Sequence, residues 1–103
     1  MPEFSNPFSV LKLDRKLTKE ELIRAIRFMI SAEYEAVQLY MQLAESIDDE
    51  LAKNVLIDIA NEEKVHAGEF LRLLKELDPE EETFYKEGAK EVEEEIEKLR
   101  SKK

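Results

Sequence analysis

Counting from Leu22 in alternating steps of four and three residues reaches Ile26, Met29, Glu33, Ala36, Tyr40 and Leu43, and all but Glu33 are apolar or aromatic. The same steps from Ala52 reach Leu56, Ile59, Glu63, His66, Phe70, Leu73 and Leu77. Two unbroken stripes of this period predict two long helices that pack along their seams at a shallow crossing angle. Thr18-Lys19-Glu20-Glu21 is a capping box, in which the Thr18 hydroxyl and the Glu21 carboxylate each satisfy an orphan backbone donor, so the first helix should run from 18 to about 46. Ser46-Ile47-Asp48-Asp49 supplies a turn and a second N-cap, and the second helix should run from about 49 to 77. Asp78-Pro79-Glu80-Glu81 repeats a start signal, with Asp as cap and Pro in the first helical position. The third helix, about 80 to 99, is weaker. Its apolar content is Phe84, Tyr85, Ala89, Val92, Ile96 and Leu99, Gly88 sits in its middle, and Glu93-Glu94-Glu95 reads as a solvated face. Before Thr18 no period holds: Phe4, Phe8, Val10, Leu11 and Leu13 are scattered among polar residues, Pro2 and Pro7, as expected of an arm that docks on another surface. The chain therefore divides into an arm (1–17), a helical hairpin (18–78) and a C-terminal helix (79–103).

Composition supports an all-α fold and narrows the partners. A length of 103 residues leaves room for one domain. The surplus of Glu, Lys, Leu and Ala favours helix, because such side chains lose little rotamer freedom there. The Glu and Lys enrichment is also common in hyperthermophile proteins. Sixteen Lys and Arg against 25 Asp and Glu leave a net charge of −9, a field that repels phosphate backbones and attracts cations. Nucleic acid is set aside as a partner and metal ions come forward. With no Cys, the chain cannot form disulfides, thiolate metal sites or thiol nucleophiles. No apolar run approaches the ~18–20 residues of a membrane span, and Met1-Pro2-Glu3-Phe4-Ser5 lacks the basic and apolar regions of a signal peptide. A cytoplasmic protein without a membrane partner is expected.

Each seam is apolar at both ends and ionisable in its middle, with Glu33 on the first helix and Glu63 and His66, the one histidine, on the second. Burying an isolated carboxylate costs several kcal/mol, so such positions are held neutral, paired or coordinated to metal. Glu63 and His66 alone could be an ordinary i, i+3 pair. Glu33 in the matching position of the other seam, with no Lys or Arg on either, makes metal ligation the better account. Tyr40, two turns from Glu33, fits either a core aromatic or a hydroxyl bonded to a liganding carboxylate. Four-helix carboxylate proteins build a two-metal site from one Glu on each of two helices and Glu-x-x-His on each of the other two. This chain carries half of that set, and two copies related by a two-fold axis would supply the whole. An oligomer is therefore expected from ligand stoichiometry alone.

The segment Glu33-Tyr34-Glu35-Ala36-Val37-Gln38-Leu39-Tyr40, followed by Glu62-Glu63-Lys64-Val65-His66, resembles the rubrerythrin and ferritin superfamily, and in length most the encapsulated ferritins. The similarity covers about residues 18 to 78. It implies a ferritin-like antiparallel hairpin with a short third helix that completes a four-helix bundle by dimerisation, and a di-iron ferroxidase centre between two subunits. By position, Glu33, Glu63 and His66 match the iron ligands, Tyr40 the tyrosine behind them and Glu35 an acidic residue near the route by which metal arrives, for which Glu62 is a second candidate. The resemblance further implies a homodimer, a ring of dimers and an encapsulin shell as host compartment. Two positions depart from the family pattern, Leu39 before the tyrosine and Ala32 before the ligand Glu. The end of the chain, Lys98-Leu99-Arg100-Ser101-Lys102-Lys103, does not look like the usual shell-targeting tail.

Three functions compete on this reading. The first is a ferroxidase that oxidises Fe²⁺ for storage or detoxification. The second is a structural or adaptor oligomer whose metal only staples the interface. A di-iron peroxide reductase or hydroxylase would need an electron donor and a substrate pocket that the sequence does not identify.

Overall fold

The structure, a computed structural model, describes residues 15–102; apart from its last three residues, the arm expected over 1–17 lies outside them. Three helices follow in order: α1 (Lys19–Glu45), α2 (Glu50–Leu77) and α3 (Pro79–Ser101). No strand occurs among the described residues. α1 and α2 pack along each other as the expected hairpin, and α3 leaves it at a corner of one residue, Asp78.

The ends of α1 and α2 follow local chemistry. The Glu21 N–H donates to Thr18 Oγ1 at 3.1 Å and the Thr18 N–H donates back to Glu21 Oε1 at 2.9 Å. Arg15 adds two bonds of 2.7 Å to the same carboxylate. The guanidinium, with the Thr18 backbone N–H behind it, holds the Glu21 carboxyl down at about 2. α1 closes at Ser46, whose N–H donates to the Leu43 carbonyl at 3.0 Å and whose hydroxyl donates to that of Gln42 at 2.7 Å. Asp49 opens α2 by accepting the Ala52 N–H at 2.8 Å. At α3 the expectation is corrected, because the Asp78 carboxylate makes no cap bond. It lies instead 3.5 Å from Arg27 of α1, a full positive charge that outweighs the partial charges of first-turn amides. Without a side-chain cap, the helix still begins at Pro79, one residue earlier than expected, and extends to Ser101.

The core is narrow and, apart from the seam residue Ile26, its buried residues sit one position away from the predicted seam. Buried residues are Ile26, Ile30 and Ala44 on α1, and Ala60, Ala67 and Leu74 on α2. Ile30, Ala44, Ala60, Ala67 and Leu74 each directly follow a seam residue, namely Met29, Leu43, Ile59, His66 and Leu73. Consecutive helical residues differ by about 100° in direction. The hairpin thus closes on the line beside the seam, and the alanines let the helices come close. At the end near α3, Ile26, Ile30 and Leu74 form a cluster with Ile23, Phe70 and Leu77. The seam itself remains partly open, with Leu22, Leu43 and Leu73 at 38, 48 and 43 % exposure. α3 buries no residue.

Candidate metal centre

Glu33 stands near the middle of α1, and Glu63 and His66 stand one turn apart on one side of α2, which is what their i, i+3 spacing requires. The hairpin brings the three together. His66 Nδ1 lies 3.8 Å from Glu33 Oε2 and 3.6 Å from Glu63 Oε2. These separations are too long for hydrogen bonds. One donor atom from each residue falls within 4.8 Å of the others, the spread of atoms arranged about a shared centre. Both carboxylates are largely covered, at 18 and 19 % side-chain exposure, whereas His66 is half exposed at 49 %.

Glu33 Oε2 is buried and accepts no hydrogen bond among the described residues. An unpaired buried carboxylate oxygen is costly, and no lysine or arginine pairs with Glu33 or Glu63 among the described residues. An oxygen so placed, beside a second carboxylate and an imidazole, is suited to receive a cation. Two carboxylates and one imidazole are donors suited to a divalent first-row metal, iron among them. They are too few to saturate two ions, and the half-open seam around them is where further ligands can come from.

Other residues singled out in the sequence lie apart from this trio. Glu35 and Glu62 are exposed and outside the donor cluster. Tyr40 is half-buried and lines a groove along α1 with Ala32, Glu35, Ala36 and Leu39. Its hydroxyl makes no hydrogen bond among the described residues. A second polar cluster has no counterpart in the sequence reading. Arg27 of α1 donates from Nε to Glu81 Oε1 at 2.9 Å and again from Nη2, and the Tyr85 hydroxyl donates to the other oxygen of Glu81. Arg27 lies off the seam and 54 residues from Glu81, so only the i, i+4 spacing of Glu81 and Tyr85 could have hinted at it.

The sequence profile of the rubrerythrin family matches residues 24–102. A "ferritin-like-encapsulin shell fusion protein" of Pyrococcus furiosus is 46 % identical over 89 residues, which are 86 % of this chain and 26 % of that protein. An "encapsulin nanocompartment cargo protein EncC" of Myxococcus xanthus is 42 % identical over 88 residues, 85 % of this chain and 66 % of the relative. This chain therefore spans about a quarter of the first relative and just under two thirds of the second. The crystal structure of the encapsulated ferritin domain from Pyrococcus furiosus superposes with a TM-score of 0.79 at 45 % identity, covering 84 % of this chain and 89 % of that one. The chain belongs to the rubrerythrin family and has its ferritin-like fold.

Proposed function

We propose that this chain is a ferroxidase of the encapsulated-ferritin type, oxidising Fe²⁺ to Fe³⁺ for storage or detoxification at a di-iron centre shared by two copies. The observation that carries this reading is the convergence of Glu33, Glu63 and His66 around a buried carboxylate oxygen that has no donor. Iron is the substrate, each Fe²⁺ giving one electron to dioxygen. The residues' part is to hold it: Glu33 and Glu63 supply negative charge from partly covered positions, and His66 turns Nδ1 toward both. Anionic oxygen donors favour the more highly charged ferric product over the ferrous substrate, which makes electron loss easier. The chain's net charge of −9 would draw cations toward it.

A second copy is the proposed source of the remaining ligands. Leu22, Leu43 and Leu73 on the open seam supply apolar surface flanking the trio, and α3 has too little apolar content to cover it. The same set of donors from a partner would bring the site to four Glu and two His, the complement of four-helix carboxylate proteins. We further propose rings of such dimers inside an encapsulin nanocompartment in the cytoplasm, a reading supported by the encapsulin named in both relatives. Glu35 and Glu62, both exposed, would receive arriving metal, and Tyr40 would hydrogen-bond a liganding carboxylate in the assembled bundle.

The test is to load the purified protein with Fe²⁺ under anaerobic conditions, admit air, and follow ferric absorbance together with oxygen uptake. Wild type should consume oxygen well above the rate of free iron, and Glu63→Ala should fall to that background with helicity intact. Metal binding and association without oxygen uptake would favour the metal-stapled structural oligomer instead.

A further inference from the structure

Among the described residues α3 packs no side chain into a core, and the contacts that tie it to the hairpin there are those at its first turn. Asp78 is the whole connection between α2 and α3. Its N–H closes α2 on the Leu74 carbonyl at 2.8 Å, and its own carbonyl accepts the Glu81 N–H at 3.1 Å. Pro79 confines the preceding residue to extended backbone, and Asp78 sits at φ −140°, ψ 78°. Two dihedrals of one residue therefore aim a 23-residue helix. At ~1.5 Å per residue that helix is about 34 Å long, so a turn of roughly 10° at the corner moves its far end by about 6 Å.

The side chains at this corner converge on one guanidinium. Arg27 reaches from α1 to Asp78 in the corner at 3.5 Å and to Glu81 in the first turn of α3 through both Nε and Nη2. Tyr85, one turn on, donates to the other oxygen of Glu81. The Glu81 side chain is 13 % exposed, far more covered than the partners of the ion pairs farther along α3. A planar guanidinium bonds well over a narrow range of orientations, so an Arg of the hairpin held by one carboxylate in the corner and another in the first turn of α3 fixes an angle as well as a distance.

We propose that Arg27, Asp78, Glu81 and Tyr85 form a latch that sets the angle between α3 and the hairpin, and that acid releases it. The Arg27 hydrogen bonds, opposed by partial burial, hold the Glu81 carboxyl below the usual carboxylate range. A depressed carboxyl contributes stability above its ordinary range and loses it as pH falls through the lowered value, so the latch is shut at neutrality and opens in acid. On the alkaline side, the hydrogen bond to Glu81, then burial, push the Tyr85 phenol up to about 12. The phenol therefore remains a donor until the pH approaches that value. Glu80 also lines the corner, beside Phe84, and Arg27 keeps its charge throughout.

The absence of native cysteine allows a direct test. Nitroxide labels on Glu69→Cys of α2 and Glu94→Cys of α3, diluted into unlabelled protein, report the distance between hairpin and α3 by pulsed electron resonance. At about pH 7 the distribution should be narrow; Arg27→Gln should widen or shift it by several Å at unchanged helicity, and Arg27→Lys should fall between. Stepwise acidification of the unsubstituted latch below the ordinary carboxylate range should move its distribution toward that of Arg27→Gln. An Arg27→Gln distribution as narrow and centred as the original overturns the latch, and acid widening of equal size in Arg27→Gln overturns its release by Glu81. If Arg27→Gln loses helicity, Tyr85→Phe removes one hydrogen bond without changing charge at neutral pH. Widening in that variant supports the latch, and none overturns it.

Discussion

Under the proposed function, Glu33 is the residue at which the metal-free and metal-bound protein should differ most. Its buried Oε2 accepts no hydrogen bond, so without a cation the carboxylate charge is a local liability. Glu33→Gln removes that charge at nearly constant shape, and the chelator-treated variant should gain up to about 1 kcal/mol, read as a rise of a few degrees in melting temperature. Under the proposed function the same variant should also lose iron oxidation. A drop in metal-free melting temperature would count against Glu33 as an unpaired charge. The trio was legible in the sequence because helical spacing alone puts Glu63 and His66 on one side of α2 and Glu33 in the middle of the opposing stripe. Tyr40 was legible as a position but not as a role, since its hydroxyl finds no partner among the described residues. Arg27 was not legible at all: its partners belong to a corner whose direction no periodicity encodes.

At the scale of the helices, capping signals carried the boundaries to within a residue or two. The start of α1 is the best braced, and it should show an acid dependence of its own. Glu21 is held at about 2, first by Arg15 and then by the Thr18 backbone. Its contribution is therefore complete above the ordinary carboxylate range and is lost as pH falls through about 2. The Thr18 amide resonance, followed through an acid titration, should move only at that low pH in wild type and at a higher pH in Arg15→Gln. The contact line between α1 and α2 was harder to read, because alanine scores as weakly apolar in any pattern. Leu43 and His66 mark the stripe, while their neighbours Ala44 and Ala67 make the contact. Ile30 and Leu74 lie beside Met29 and Leu73 in the same way, so the stepping finds the right side of each helix but not the line of tightest packing. Ala60 is fully buried, so Ala60→Leu should overpack the hairpin and cost about 1–3 kcal/mol in denaturant unfolding. Leu73→Ala, on the partly exposed seam, should cost markedly less in a dissociated chain and more in an assembled one.

For the whole molecule, the open seam and the half-complete ligand set make assembly and metal binding one equilibrium under the proposed function. A metal that binds the dimer and not the monomer stabilises the dimer by RT ln(1 + [L]/Kd), about 2.7 kcal/mol at a hundredfold excess over Kd. Sedimentation should therefore show a larger species with Fe²⁺ than after chelation, and His66→Ala should abolish the difference. A monomer that binds two ions without associating would exclude the shared centre. The sharing has a genetic corollary. Because each active site would draw on two copies of the same gene product, an allele encoding Glu63→Ala would disable normal subunits as well as its own. At equal dosage and random pairing only about a quarter of the dimers would be wholly normal, so a ligand mutation in this small chain should behave as dominant, whereas a variant too unstable to pair should be recessive.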